Sequence, residues 1–284
     1  MKNISKSMLE RIIRELKKTR AQKRVIDCIT NNITVNDCAN AILAIGASPI
    51  MSDAMEEIDD IVSVSSAVLL NTGGLQPFVI HAMEAAGKKA NELNTPVILD
   101  PVGAGASRLR DRVCKTLTTD VHPCVIRGNL SEILALGGYS SNTQGVDASA
   151  DDKVTLENLY EQGKKVQKTA KQFNCTVCAT GEIDIIASPA ELFAIQNGHE
   201  MLECVTGTGC MCSALVAALC AGSEDITASA AAGVLAMCLA GEIAYEYISS
   251  HEGCGSGTFH VKLIDALNLL SPQDILHRGR IYEL

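Results

Sequence analysis

A glycine-rich turn that runs straight into an apolar helix is the most pointed chemical signal in the chain: Val205-Thr-Gly-Thr-Gly-Cys210-Met-Cys-Ser-Ala-Leu-Val. In that setting Gly207, Thr208 and Gly209 expose backbone N–H groups at a helix N-terminus, where the dipole favours a phosphate or a developing negative charge. Cys210 would face that charge, and the helix end would lower its pKa toward the thiolate; a neutral thiol lining a pocket is the other reading. Taken alone, the glycines could serve only a tight turn and close helix packing. No Gly-Lys-Ser or Gly-Lys-Thr follows at the required spacing, so a Walker A loop is excluded. Asp100-Pro-Val-Gly-Ala-Gly-Ala-Ser107 closes a strand at the end where open α/β sheets hold their ligands, and an acid there suits Mg²⁺. Arg127-Gly-Asn-Leu-Ser-Glu132 also follows a strand and offers a guanidinium for phosphate oxygens and a carboxylate for a metal. Thr180-Gly-Glu182-Ile-Asp184 reads as a tight turn between two strands. Each alone has a plain structural alternative: a turn aspartate, a surface ion pair, a hairpin.

The elements that must position these residues alternate. Strands are expected at Arg24 to Thr30, Ala67 to Asn71, Val97 to Asp100 and Cys124 to Arg127, with helices at Ile33 to Gly46, Leu75 to Leu93 and Arg108 to Thr118 between them. A short helix opens at Asn129, where Glu132 three residues on completes a capping box. The polar stretch Gly137 to Asp152 reads as a loop, followed by a helix from Lys153 to Phe173. Cys175 to Thr180, Ile183 to Ala187 and Leu192 to Ile195 are short strands separated by turn residues, which implies an antiparallel edge. From Gly207 on the pattern is helical: Thr208 to Ala221, Asp225 to Ile248 and Thr258 to Leu270. The expectation is an α/β fold, a mostly parallel central sheet with helices on both faces, and one domain over residues 1–284. In that arrangement the four motifs converge at strand ends and helix starts, and they supply what phosphoryl transfer needs: held phosphates, metal and donors for a developing anion.

Composition narrows the classes further. Of 284 residues 47% are hydrophobic and 20% charged, ample for a core, and with no Trp that core is built from aliphatic residues, Met and Cys. A formal charge of -9 with no basic stripe argues against nucleic acid as a partner. Met1 to Arg20 carries Ile4, Met8, Leu9, Ile12, Ile13 and Leu16 at helical spacing with interleaved charge, unlike a targeting peptide, so a cytoplasmic location is expected. The uncharged run Ile226 to Gly241 falls short of the roughly 20 apolar residues that span a bilayer and reads as a buried helix, with no membrane partner. Twelve cysteines lie mostly in apolar runs and read as reduced thiols; Cys175 and Cys178 form a C-x-x-C on a strand with alternating faces, without a second pair at zinc spacing.

At these residues the sequence closely resembles the hydroxyethylthiazole kinase family of thiamin salvage, a branch of the ribokinase-like fold. The resemblance covers nearly the whole chain and includes Ile29-Thr-Asn-Asn32, Gly46-Ala-Ser-Pro-Ile-Met51, Asp100-Pro-Val-Gly-Ala-Gly, Arg127-Gly-Asn129, Thr180-Gly-Glu182-Ile-Asp184, Val205-Thr-Gly-Thr-Gly-Cys210 and Gly257-Thr-Phe259. It implies ATP as donor, Mg²⁺, and 4-methyl-5-(2-hydroxyethyl)thiazole as the alcohol phosphorylated to its monophosphate. It implies further that Met51, Gly207 and Asn31 bind the thiazole, that Arg127 and Thr180 bind the nucleotide, and that Asp100 and Glu132 lie near the metal. Gly207, Thr208 and Gly209 correspond to the anion hole, and Cys210 stands where related kinases place an aspartate base. Family members are homotrimers with sites between subunits, so the segment from Asn31 to Met51 is expected to serve a neighbouring chain. Leu70-Asn-Thr-Gly-Gly74 departs from the family's more usual Asn-Ile-Gly-Thr. Two rivals share the fold: an ATP-dependent lyase or dehydratase acting on a nucleotide cofactor, and a non-catalytic sensor of a thiamin precursor. Retention of Asp100, Arg127, Glu132 and Cys210 together argues against the sensor.

Overall fold

Nine strands form one sheet in a computed structural model that describes residues 4–139 and 154–284. In chain order the elements are α1 (Lys6–Gln22), β1 (Val25–Ile29), α2 (Val35–Ile45), β2 (Ser48–Ile50), α3 (Ile58–Val64), β3 (Ala67–Asn71), α4 (Pro77–Glu92), β4 (Val97–Asp100), α5 (Arg108–Asp120), β5 (Val125–Asn129) and α6 (Leu130–Leu136). There follow α7 (Leu159–Phe173), β6 (Thr176–Thr180), β7 (Asp184–Ala187), β8 (Leu192–Ile195), α8 (Thr208–Cys220), α9 (Ile226–Ser249), α10 (Ser256–Leu269), α11 (Pro272–Arg278) and β9 (Ile281–Glu283), with a 3₁₀ turn at Glu200–Cys204 before α8. The spatial order is β2-β1-β3-β4-β5-β6-β7-β8-β9. From β2 to β6 the pairings are parallel, and β7, β8 and β9 add the antiparallel edge that the sequence predicts.

Period-two alternation sorts the strand side chains between two cores. Ile26, Cys28, Leu69, Ile98, Val125 and Cys178 face α1, α2, α8, α9, α10 and α11. Ile29, Val68, Leu70, Leu99, Ile126 and Val177 face α3, α4, α5, α6 and α7. Cys175 and Cys178 fall into opposite cores, and all twelve cysteines are free thiols, which removes the C-x-x-C as a redox pair in this fold. Several strand residues break the apolar pattern, Asp27, Asn71, Asp100 and Asp184 among them. Asp27, in mid β1, is fully buried, and neither carboxylate oxygen has a hydrogen-bond partner among the described residues.

Several expectations need correction. The helix expected from Lys153 begins only at Leu159, because Thr155 and Asn158 pair with each other across a preceding turn; Lys153 itself and residues 140–152 of the expected loop lie outside the described residues. The buried helix expected to end near Ile248 runs to Ser249 and, at 24 residues, is long and apolar enough to cross a membrane by composition, yet 83% of its most apolar window is buried inside the protein. Its seam with α8 has no slack: a Cβ on Gly233 would lie 2.7 Å from Val216 Cα. β2, β9, α3 and α11 were not expected at all.

Candidate active site

Four adjacent parallel strands end at one edge of the sheet and bring four polar residues there. β3 ends in Asn71, β4 in Asp100 and β6 in Thr180, while β5 carries Arg127 two residues before its end. Register pairs Asn71 with Asp100 and Asn129 with Thr180. Alternation then places Asn71, Asp100, Arg127 and Thr180 on the face shared by Leu69, Ile98, Val125 and Cys178, the side on which α8 lies. This is the carboxyl end of the strands, the place where open α/β sheets bind ligands.

The start of α8 is laid across those strand ends. Gly207 caps the helix with φ 85°, a left-handed conformation open to glycine, and a Cβ there would lie 2.4 Å from Thr34 Cγ2. The turn that begins α2 therefore presses directly on the turn that begins α8. Thr208 folds its hydroxyl back onto the carbonyl of Leu202 at 2.9 Å, which leaves its backbone N–H, with those of Gly209 and Cys210, at the open helix end. Arg127 ties this turn to the sheet: Nη1 donates to the Gly209 carbonyl at 2.9 Å and Nη2 to Thr180 Oγ1 at 2.5 Å. Its Nε has no partner among the described residues.

Asp100 is buried and meets Ser213 Oγ at 2.8 Å and Asn71 Nδ2 at 2.7 Å, both on Oδ2; no hydrogen bond to Oδ1 accompanies them among the described residues. Burial pushes its pKa up, and Arg127, Ser213 and Asn71 pull the other way. Glu132 closes the predicted capping box: Oε2 accepts from Asn129 N at 2.8 Å, while Oε1 reaches across to Gly103 N at 2.7 Å and pins the loop after β4. Burial, with the charge of Asp100 behind it, pushes Glu132 up to about 7. Glu132 thus feels the charge of Asp100, a repulsion that a cation would relieve.

Cys210 lies at the centre. Its Sγ accepts from Asn71 Nδ2 at 3.2 Å and from Asn31 Nδ2 at 3.5 Å. Burial, then the charge of Asp100, raises its pKa, against Thr34, Asn71 and Arg127. Of the two readings the sequence leaves open, this direction favours the neutral thiol, because desolvation outweighs the helix end. Asn31 sits against the Cys210 of its own chain, so this part of the segment expected to serve a neighbour already lines the site of the same chain. Met51 follows edge strand β2, with β1 between β2 and β3, and is half-buried against the same core cluster on which Cys210 packs. Sequence reasoning missed Asn71 and Ser213. It also missed Arg110, whose Nη1 donates to the carbonyls of Thr72 and Val102, both at 2.6 Å, and so clamps the loops after β3 and β4. The spacing Cys210 to Ser213, one helical turn, is the signal that could have found Ser213.

A sequence model of the Hydroxyethylthiazole kinase family matches residues 16–273. The chain belongs to the hydroxyethylthiazole kinase family. A hydroxyethylthiazole kinase from Clostridium beijerinckii is 45% identical over 270 residues, 95% of this chain and 96% of that protein. The solved hydroxyethylthiazole kinase of Pyrococcus horikoshii OT3 superposes with a TM-score of 0.84 at 36% identity, over 97% of this chain and 99% of that one. A ribokinase-like superfamily protein of Enterococcus faecalis V583 shares the fold at a TM-score of 0.62 and 12% identity, over 95% and 96% of the two chains. As a member of the hydroxyethylthiazole kinase family the chain is an enzyme, and its sheet with an antiparallel edge is the ribokinase-like arrangement.

Proposed function

We infer that this protein transfers the γ-phosphoryl group of ATP to the primary alcohol of 4-methyl-5-(2-hydroxyethyl)thiazole, giving the monophosphate used in thiamin salvage, and that residues 1–284 form one kinase domain. The observation that carries the reading is the arginine clamp: Arg127 joins Thr180 on β6 to Gly209 at the head of α8, so a guanidinium is held beside an open helix end. Preorganised donors of this kind are what a loose, highly charged transition state needs.

In this reading Arg127 and Thr180 hold the nucleotide, and Gly207, Thr208 and Gly209 donate N–H groups to the transferring phosphoryl oxygens. Asp100 and Glu132 would hold Mg²⁺: hard oxygen donors suit that ion, Asp100 keeps one oxygen without a hydrogen bond among the described residues, and the charge of Asp100 helps to hold Glu132 high. When bound, that ion neutralises charge on the donor phosphates. Asn31 and Cys210 meet the acceptor alcohol. Cys210 enters as a neutral thiol beside the reacting oxygen and not as a strong base. Met51 contributes a polarisable thioether to the heterocycle. Following the family resemblance, we propose a homotrimer with sites between subunits, located in the cytoplasm.

The test is ADP release coupled to a reporter, with and without the thiazole alcohol, in the presence of Mg²⁺. Release that depends on the alcohol and yields its monophosphate is expected; release that is indifferent to the alcohol would point to the lyase or dehydratase chemistry available to the same fold.

A further inference from the structure

Asn71 is the most fully committed side chain in the site and has no role in the assignments above. It is the last residue of β3 and is fully buried. An amide side chain offers two N–H donors and an oxygen with two lone pairs, and here each is used. Nδ2 donates to Asp100 Oδ2 at 2.7 Å and to Cys210 Sγ at 3.2 Å. Oδ1 accepts from Gly73 N at 2.9 Å and from Asn31 Nδ2 at 3.3 Å. Chemistry fixes which way the amide faces. The Gly73 N–H demands an acceptor and the Asp100 carboxylate demands a donor, so a flipped amide would set donor against donor and acceptor against acceptor.

Once that orientation is fixed, the Cys210 sulfur can only be an acceptor toward Asn71. Its neighbours on that side therefore direct its own proton away from β3. The glycine at 73 is part of the same construction, since a Cβ there would lie 2.7 Å from Asn31 Nδ2 and 2.8 Å from Asn71 Oδ1. Ser213 gives Asp100 a second anchor at 2.8 Å, so Asn71 is not needed merely to keep that carboxylate in place. What Asn71 alone supplies is the bridge between Asp100 and Cys210.

We propose that Asn71 is a positioning residue for phosphoryl transfer, its amide bridging the Asp100 carboxylate and the Cys210 sulfur so that the phosphate side and the acceptor side of the site are held as one unit. The proposal rests on the kinase reading, which places Asp100 beside the donor phosphates and Cys210 beside the alcohol. Such a bridge acts on the reacting geometry and not on nucleotide affinity.

The experiment measures kcat and KM for ATP and for the thiazole alcohol with Asn71→Leu, close in size but without hydrogen bonds, in the wild-type and in the Cys210→Ala background. Asn71→Leu is expected to lower kcat roughly 10- to 100-fold, the scale of one hydrogen bond to a charged group, with KM for ATP held within about twofold. In the Cys210→Ala background the same substitution should cost less than about fivefold, because one end of the bridge is already gone. Equal losses in both backgrounds, or none in either, would overturn the proposal. Should Asn71→Leu fail to fold, Asn71→Asp keeps the acceptor for Gly73 and Asn31, removes the amide donors at neutral pH, and is read in the same two backgrounds. If the wild-type protein itself shows no alcohol-dependent ADP release, the kinase reading falls first; if it does and Asn71 proves silent, only the bridge falls.

Discussion

Replacing Asp27 by asparagine should make the protein more stable at pH 8 and leave it nearly unchanged at pH 4. Asp27 is sealed in β1 between β2 and β3, and its carboxyl is pushed from 3.8 up to about 7, chiefly by burial, with Glu57 adding repulsion. The folded state therefore holds a proton between about pH 4 and pH 7 that the unfolded chain has released, so stability falls as pH rises through that window and levels off above it. At about 1.36 kcal/mol per pKa unit, the full window amounts to about 4 kcal/mol. Asparagine keeps the shape and cannot ionise. The difference in unfolding free energy between variant and wild type, taken from urea midpoints at pH 4, 5, 6, 7 and 8, should thus rise from near zero to a plateau of up to about 4 kcal/mol. Taking the difference cancels the other titrating acids, Glu132 and Asp184 among them. Parallel curves for the two proteins would refute the reasoning, since they would mean that Asp27 stays ionised and paired in the folded state.

Other consequences bear on the site. Arg127→Ala should lose about 2 to 4 kcal/mol in kcat/KM, the range for one preorganised donor, whereas Cys210→Ser should cost less; Cys210→Asp, which restores the base of related kinases, should keep substantial activity, and dead Cys210 variants beside a near-normal Arg127→Ala would reverse the assignment of labour. Gly207→Ala combines a left-handed φ of 85° with a collision against Thr34, and should abolish most activity while ATP still protects the fold in a thermal melt; full activity would show that the two turns are free to part. Because burial leaves Glu132 titrating at about 7, lowering the pH from 8 to 6 should protonate it and raise the Mg²⁺ concentration needed for half-maximal rate, and a requirement that does not move with pH would exclude Glu132 as one of the metal's acids.

The parts of the fold legible in the sequence were those long enough to show a period. β3 and β4 stand out as apolar runs ended by a polar residue, and α9 as an unbroken Ala-rich stretch. β2 has three residues with Pro49 among them and survives only because it is an edge strand, where a missing N–H costs no ladder bond. α3 buries only Ile58 and Val62, too thin a stripe to read. In the site, Asp100, Arg127, Thr180 and the Gly207 to Cys210 turn were visible because each sits in a glycine-bearing motif at a strand end or a helix start. Asn71 was noticed only as a departure from a family pattern, and Arg110 was invisible because its partners are backbone carbonyls as far as 38 residues away, which leave no mark on side-chain choice. Of the two readings open for Cys210, burial favours the neutral thiol for a reason of scale: a helix end is worth about 0.3 to 2 kcal/mol, while burial shifts pKa values by up to about 3 to 5 units.

The seam between α8 and α9 also decides which parts of the site can move. From Met211 to Cys220 every residue of α8 is buried, and Gly233 of α9 admits Val216 with no room for a methyl group. A helix held this way cannot slide or tilt when ligands arrive, so it acts as a fixed anvil, and any closing motion must come from the pieces in front of it: the turn at Asn31 to Thr34 and the Gly73-Gly74 loop. Amide hydrogen exchange would show that division directly. Peptides from α8 should exchange only on the timescale of global opening, with or without ligands, and the slowing on addition of ATP and the alcohol should be confined to those two turns and the 3₁₀ segment at Glu200–Cys204.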